Sequence, residues 1–248
     1  MDRPFYPEFI LGVFPRLLAR LPVTLLLMTG TVIAGSLLGF LLAKARLGRS
    51  PLAGRIAGTF IVALRCTPSI VLLFIIYYAL PELVMGFFGI DINGMSKSVF
   101  VILTLSLLFS ANMGELMRAA YLSVDKGQRE AALSAGLSEV QAFFRVTAPQ
   151  ALTTALPNFC NALVALMKEG ALAYTIGMID MMGEGSLIIS RNYGAYGLET
   201  YIALALIYWA VTIILERGFR ALEKRLSRGR RSIGRERESR RNITREAP

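Results

Sequence analysis

Histidine is absent from the sequence, and cysteine occurs only twice, at Cys66 and Cys160. Because histidine is the commonest general base and the commonest metal ligand, its absence argues against hydrolytic enzyme chemistry. Both cysteines lie in apolar segments, and their spacing is typical neither of a disulfide framework nor of a zinc site. We therefore expect a chain with no catalytic residues, no metal site and no cofactor.

Charged residues are also scarce. They make up 18% of the 248 residues, whereas a soluble domain carries about a quarter. Hydrophobic residues make up 54% of the chain. This excess of apolar side chains is typical of a protein embedded in a lipid bilayer.

The few charges are unevenly placed along the chain. Residues 216–248 hold 12 Lys or Arg and 5 Asp or Glu, so this tail contributes most of the net charge of +10. A basic tail can bind nucleic acid, but directly after a membrane span it more often marks the cytoplasmic side. We expect contact with membrane lipid and no nucleic-acid partner.

Long apolar stretches predict an all-α integral membrane fold with about five transmembrane helices, since a helix of about 20 residues crosses a bilayer. The predicted crossings are 23–43, 66–80, 99–117, 150–167 and 199–215. A shorter apolar piece, 56–64, is separated from the second crossing by Arg65 and Pro68, which predicts an interfacial or tilted entry. Gly35 and Gly39 would let another helix approach the first crossing closely, although this spacing also occurs by chance.

Lysine and arginine counts orient these crossings. Residues 44–55 and 118–149 hold four each, whereas 81–98 and 190–198 hold one each. Because basic loops stay in the cytoplasm, we expect the N-terminus outside and the C-terminus in the cytoplasm. A sixth crossing at 171–190 would reverse the side of the basic tail, so we expect that segment to be bent or re-entrant and to line a cavity.

The segment EAALSAGLSEVQAFFRVTAP, residues 130–149, lies on the cytoplasmic side in this arrangement. Its alanines favour a short helix that ends near Gly136. Ser138 can cap a second short helix, and Pro149 is expected to restart the chain after it. Two short helices with a sharp turn predict a rigid knob with a small apolar face. A surface amphipathic helix lying on lipid is the alternative.

This segment resembles the EAA loop of ABC importer permeases, in which E-A-A is followed after three residues by glycine and later by an aliphatic residue and L-P. Glu130, Gly136 and Val146 match that pattern, while Ala148 replaces the usual leucine, which touches packing and not the knob. The resemblance implies that the loop 126–149 is the coupling element that docks into a cytosolic ATP-binding subunit. The residues expected to couple the two chains are Arg129, Glu130, Ala131, Ala132 and Gly136.

Other segments are similar to the polar amino acid permeases of the same family. They are LRCTPSIVLLFIIYYALP, in which Cys66 replaces the usual glycine, and AAYLSVDKGQ and MKEGALAYTIG, which are closest to the cystine-type permeases. The resemblance implies a type I ABC importer-like fold in the plasma (inner) membrane. It also implies a second permease copy or paralogue, an extracellular or periplasmic solute-binding protein, and a polar amino acid as substrate. Cystine is the first candidate, and basic and amide amino acids are the others.

The sequence has no G-x-x-x-x-G-K-[ST] loop of the kind that cradles nucleotide phosphates. If ATP drives transport, its hydrolysis must therefore take place in a partner chain. The expected organisation is an extracytoplasmic segment at 1–20, a transmembrane permease domain at 21–220 and a basic cytoplasmic tail at 221–248.

Ionisable groups inside a span are costly and are candidates for a substrate pathway. Asn112 and Glu115 lie near the end of the third crossing and could face the pathway. Glu115 could instead pair with Arg118, because residues three apart share a helix face. Both interpretations stay open from the sequence.

A second group of candidates, Lys168, Glu169 and Asp180, flanks the broken part of the fourth crossing. An α-amino acid needs an acceptor for its ammonium group and a donor for its carboxylate, and carboxylates beside a lysine offer both. We expect Glu169 and Asp180 to line the pathway with Lys168 near them. An ion pair at a helix end is the alternative.

Two other functions are left open. A secondary transporter driven by an ion gradient should show internal repeats across its two halves, and we find no convincing repeat. A binding module whose basic tail recruits anionic lipid or nucleic acid would lose its function on deletion of residues 228–248, whereas an importer should keep its uptake.

Overall fold

The computed structural model describes residues 5–245, with side chains described for residues 5–225. The ends of the expected N-terminal segment and of the basic tail lie outside these described residues. The described chain is helical and contains no strand. Its helices are α1 (Pro7–Leu18), α2 (Leu21–Leu47), α3 (Pro51–Cys66), α4 (Ser69–Phe74), α5 (Leu80–Phe88), α6 (Lys97–Leu122), α7 (Lys126–Ser134), α8 (Glu139–Ala142), α9 (Ala148–Gly170), α10 (Met181–Arg191) and α11 (Gly197–Arg245).

Four of the described helical segments are long and apolar enough to cross a membrane, and a bent pair makes up to five. The four are Leu21–Leu47, Ser69–Phe88, Lys97–Leu122 and Gly197–Arg225. The bent pair joins Glu139–Ile176 to Met181–Arg191 at an angle of 47°. The all-α fold, the number of crossings and the bend predicted after the fourth crossing are thereby confirmed.

The entry to the second crossing is split where the sequence predicts. Helix α3 ends at Cys66, Thr67 is extended, and Pro68 precedes the first residue of α4. Proline disfavours a helical conformation in the residue before it, so the chain breaks here and α3 stays a separate helix of 16 residues.

Several predicted helix boundaries are wrong, including the end of the second crossing, which continues past Leu80 to Phe88. Pro149 does not restart the chain, because α8 continues through a π-helical turn, Phe143–Thr147, into α9. A proline ring clashes with the carbonyl four residues earlier in a regular α-helix, and here that carbonyl belongs to the widened turn. The fourth crossing also does not end at Met167, because Gly170 is still helical and a 3-10 turn carries the helix on to Ile176.

Glycines bring α2 and α6 close together, as the spacing of Gly35 and Gly39 predicts. A Cβ atom on Gly35 would lie 2.9 Å from Cδ1 of Phe109, and one on Gly39 would lie 2.6 Å from Cβ of Met113. Such separations are too short for carbon atoms, so only glycine permits this approach. Van der Waals contact between backbones is the main attraction that small residues provide between helices in a membrane.

Most of the N-terminal segment 1–20 forms α1, which packs on α10. Val13 and Leu17 of α1 lie in one buried cluster with Met181 and Ile188 of α10 and with residues of α11. Apolar residues at Val13 and Leu17 recur at helical spacing, which places both on one face. Helix α1 therefore packs against α10 and α11 and covers part of α10.

The described residues divide into two compact units. One contains the residues up to Ala119 together with Asn161–Thr212, and the other contains Ala120–Cys160 together with the residues from Ile213 on. The first unit contains α1, α2 and α10. The second unit contains α7 and α8, the two helices of the predicted coupling loop.

Candidate functional site

Helices α7 and α8 form the compact knob predicted for the loop 126–149. Asp125 caps α7 by accepting a hydrogen bond from the N–H of Gly127 at 2.7 Å. At the other end, the N–H of Gly136 donates to the carbonyl of Leu133 at 2.9 Å, and Gly136 has a φ of +85°. A left-handed residue that follows the last helical turn ends the helix, so the turn predicted at Gly136 is confirmed.

Ser138 begins α8 with a reciprocal cap. The N–H of Gln141 donates to Oγ of Ser138 at 3.3 Å, and the N–H of Ser138 donates to Oε1 of Gln141 at 3.1 Å. This capping box satisfies two backbone donors at once. The turn between the two helices therefore comprises residues 135–138. Gly136 fixes its start and the cap at Ser138 fixes its end.

An ion pair holds the two helices of the knob together. Arg129 on α7 donates to both carboxylate oxygens of Glu139 on α8, at 3.1 Å and 2.5 Å. Hydrogen bonding to the carboxylate raises the pKa of Arg129 further above its usual value, so Arg129 stays charged. Exposed pairs contribute little to stability, but a two-pronged arginine contact also fixes the relative orientation of its partners.

The knob presents a mixed polar and apolar surface. Ala132 is buried inside it, whereas Arg129, Glu130, Ala131 and Gly136 are exposed. Two large apolar side chains, Val140 and Phe144, are also exposed, at 66% and 67%. Four of the five predicted coupling residues are therefore free to contact another molecule, and the fifth packs the knob.

Glu115 pairs with two arginines. It forms ion pairs with Arg46 of α2 and with Arg118 of its own helix, the second at 2.9 Å. The pairing with Arg118 that the sequence left open is thus present, and Arg46 is a partner that the sequence did not indicate. Asn112, one turn earlier on α6, is exposed.

Asp180 lies in the break of the bent span and caps α10. Its Oδ1 accepts a hydrogen bond from the N–H of Gly183 at 2.8 Å, and its side chain is fully buried. The N–H of Met181 donates to the hydroxyl of Thr24 at 3.2 Å. The carboxylate of Asp180 fixes the start of α10 and does not reach the surface in this conformation.

Lys168 and Glu169 differ in exposure although they are neighbours at the end of α9. Lys168 is exposed, and Glu169 is half-buried close to the hydroxyl of Ser69. No ion pair joins Lys168 to a carboxylate among the described residues. The carboxylate of Glu169 therefore belongs to a side chain that is partly accessible to solvent, as a polar residue that lines a substrate pathway must be.

Residues 35–228 match the family described as the binding-protein-dependent transport system inner membrane component. The chain belongs to this family. Among curated relatives, this permease is 41% identical to the L-cystine transport system permease protein TcyL of Bacillus subtilis, over 94% of this chain and 96% of the relative. It is 33% identical to the octopine transport system permease protein OccM of Rhizobium radiobacter, over 89% of each chain.

Solved structures agree with the family. The crystal structure of an amino acid ABC transporter with histidines matches 90% of this permease and 100% of its own chain, with a TM-score of 0.76 at 28% identity. An inward facing structure of the MetNI methionine ABC transporter matches with a TM-score of 0.64 at 19% identity, which shows the fold alone. The permease fold predicted from the sequence is confirmed.

Further polar contacts of the permease, between segments far apart in the chain, were also missed by sequence reasoning. Arg16 and Arg20 pair with Glu184 at 2.7 Å and 3.4 Å, and Lys97 donates to the carbonyl of Gly177 at 3.3 Å. The partners are 80 or more residues apart, so no local pattern joins them. The only signal was Glu184 itself, an acidic residue in an otherwise apolar segment.

Proposed function

We propose that this permease forms the translocation pathway of an ATP-driven importer for a polar amino acid, with cystine as the first candidate substrate. The observation that carries this proposal is its 41% identity to a cystine permease over nearly the whole of both chains. Basic and amide amino acids are the other candidates. The permease acts as a transport subunit, and ATP is hydrolysed by a partner chain, since this sequence lacks a phosphate-binding loop.

The proposed orientation places the N-terminus outside and the C-terminus in the cytoplasm, because the basic loops at 44–55 and 118–149 then face inward. The segment 1–20 is then extracytoplasmic, 21–220 is the transmembrane permease domain, and 221–248 is a cytoplasmic tail. Exposed apolar side chains of α2, such as Ile33 and Leu37, suit contact with lipid.

In this arrangement the knob faces the cytoplasm and docks into an ATP-binding subunit. Its exposed residues include the charged Arg129 and Glu130 and the apolar Ala131 and Val140, so the knob offers both charged and apolar surface. Protein interfaces of moderate size combine an apolar core with a polar rim. A second permease chain completes the pathway, and a solute-binding protein delivers substrate from outside.

The knob continues directly into the bent span, because α8 is the start of the helix Glu139–Ile176, which forms the first part of that span. A helix transmits a displacement along its axis, so movement of the knob reaches the break at 177–180. Rigid-body rocking of helix bundles against one another is the usual form of alternating access. ATP-driven closure of the partner subunits supplies the force in this proposal.

The proposed pathway residues are Asn112, Glu115, Lys168, Glu169 and Asp180. Glu169 is the first to test, because its carboxylate is half-buried and lacks a charged partner among the described residues. Asp180 is buried in this conformation, and Glu115 is already paired. Both would have to be exposed by the rocking movement.

Glu169→Gln should raise the KM for uptake about tenfold, which corresponds to about 1.4 kcal/mol of lost substrate binding. Uptake of radiolabelled cystine, normalised to the amount of permease in the membrane, measures this. Glu82→Gln is the matched control, because Glu82 is an exposed acid on α5.

Asp180→Asn should also lower uptake, while asparagine keeps the cap of α10. Normal uptake in both Glu169→Gln and Asp180→Asn would contradict their place in the pathway.

Affinity purification of the tagged permease from mild-detergent membranes tests the importer itself. We expect an ATP-binding subunit to be recovered with the wild-type chain and lost with Glu130→Ala/Gly136→Leu. The same cells should take up cystine in competition with arginine and glutamine. Uptake that needs no ATP-binding subunit and stops when the ion gradient is collapsed would instead establish a secondary transporter.

A further inference from the structure

Lys97 and Ser98, the first two residues of α6, contact the break in the bent span. The ammonium group of Lys97 donates to the carbonyl of Gly177 at 3.3 Å. The hydroxyl of Ser98 donates to the sulfur of Met178 at 3.8 Å. Two neighbouring residues of one helix thus hold two neighbouring residues of another segment, far away in the chain.

The backbone at Gly177 is shaped for this contact. Gly177 has a φ of +75°, and its N–H donates to the carbonyl of Tyr174 at 2.8 Å, which ends the preceding 3-10 turn. A Cβ atom on Gly177 would lie 2.7 Å from the nitrogen of Lys97. A cation near the last carbonyls of a helix is also favoured by the helix dipole, so Lys97 lies where the helix Glu139–Ile176 can bind it.

The contact joins the two helices that lie on either side of the coupling loop in the chain. Helix α6 leads into the knob at its end, and the helix Glu139–Ile176 leaves the knob at its start. Lys97 is the first residue of α6, and Gly177 directly follows the last residue of the helix Glu139–Ile176. The two helices that flank the coupling loop are therefore tied to each other at the ends that lie furthest from it.

We propose that Lys97 is a positioning residue for coupling, which holds the far end of the helix Glu139–Ile176 to the start of α6. This proposal rests on the importer function proposed above. Without the tie, a displacement of the knob would be absorbed as bending at the break between Gly177 and Asp180. With it, the start of α6 and the break move together, so ATP hydrolysis in the partner is converted into movement of the pathway.

The test measures ATP hydrolysed per substrate imported. The permease is reconstituted in proteoliposomes with its ATP-binding subunit and solute-binding protein, and L-cystine is the transported substrate. Lys97→Met, which keeps the length of the side chain and removes its donor, should raise the ratio of ATP hydrolysed to cystine imported about threefold or more, the range of effects that residues linking two sites have. The KM for cystine should not change. Lys97→Arg, which restores a charged donor, should return the ratio close to that of the wild type.

Arg191→Met is the matched control, because Arg191 is an exposed cation at the end of α10. Its ratio should equal that of the wild type. An equal rise in Arg191→Met and Lys97→Met would show an effect of net charge alone and would overturn the proposal. A ratio in Lys97→Met that matches the wild type would overturn it as well.

Gly177→Ala provides a second test that leaves the charge of Lys97 in place. The new Cβ atom would meet the nitrogen of Lys97 at 2.7 Å, so the tie must shift or break. The ratio should rise as in Lys97→Met, and the two changes together should raise it no further than Gly177→Ala alone, since they remove the same contact. Fully additive effects would contradict the tie. A wild-type complex that imports none of cystine, arginine and glutamine would refute the importer itself, an outcome distinct from these.

Discussion

Replacing Gly136 with leucine should strongly lower import while the permease still inserts into the membrane. Gly136 has a φ of +85° and lies in the turn between the two helices of the knob. A residue with a side chain costs about 1–2 kcal/mol in the left-handed conformation. The turn at 135–138 is short, so few other residues can relieve this strain. Nothing lies within 4 Å of a Cβ atom at this position, so the effect comes from backbone conformation and not from a clash.

Strain in this turn can be relieved in two ways, and both would disturb the docking of the knob to the ATP-binding subunit. Either the turn opens and separates α7 from α8, or the backbone changes its conformation and displaces the Arg129–Glu139 ion pair, whose geometry depends on it. We expect import and substrate-stimulated ATP hydrolysis to fall about tenfold or more, which corresponds to about 1.4 kcal/mol of lost docking free energy. Both are measured with the reconstituted complex.

Gly136→Asn is the matched control for this prediction. Asparagine adopts the left-handed conformation more readily than other residues with a side chain, and the open space at Gly136 accommodates its amide. We expect it to keep most of the import activity. Full transport in Gly136→Leu, or an equal loss in both variants, would contradict the view that the left-handed turn is what matters.

Local sequence patterns were enough to predict the crossings and the knob. The apolar stretch that forms α2 and the cap at Ser138 each depend on residues close together in the chain. The break before Ser69 was predictable for the same reason, since Pro68 acts on its neighbour. These features follow from hydrophobicity, capping and proline geometry alone.

Features that depend on contacts between distant segments could not be predicted. The partner of Lys97 is 80 residues away, and Arg16 and Glu184 are separated by 168 residues. The helix also passes Pro149 and Gly170, because a π turn and a 3-10 turn adjust the backbone there. Such adjustments cost little locally and are decided by packing, which a single sequence does not display.

Removing both arginines from the Glu184 cluster should destabilise the permease more than removing Glu184 itself. The side chain of Glu184 is only 9% exposed, whereas those of Arg16 and Arg20 are 46% and 43% exposed. In Glu184→Gln the two arginines can still reach water. In Arg16→Met/Arg20→Met a carboxylate stays buried against α1 with neither of its partners.

An unpaired buried charge costs about 3–5 kcal/mol when its partner is removed. Because the arginines are partly exposed, we expect the lower end, about 3 kcal/mol, for Arg16→Met/Arg20→Met, and a clearly smaller loss for Glu184→Gln. Thermal unfolding of the purified permease in detergent measures both. The two methionines keep the apolar length of the arginine side chains, so the packing of α1 is changed little.

The combination of all three changes decides whether buried charge is the cause. Arg16→Met/Arg20→Met/Glu184→Gln removes the unpaired carboxylate, so its melting temperature should lie above that of Arg16→Met/Arg20→Met. A triple variant that is less stable than the double variant would mean that the arginines stabilise α1 through packing and not through Glu184. If the charge explanation holds, the ion pairs anchor an N-terminal helix whose apolar face already covers α10. The buried acid would then specify where on α10 that helix lies, since an apolar surface alone lets a helix slide.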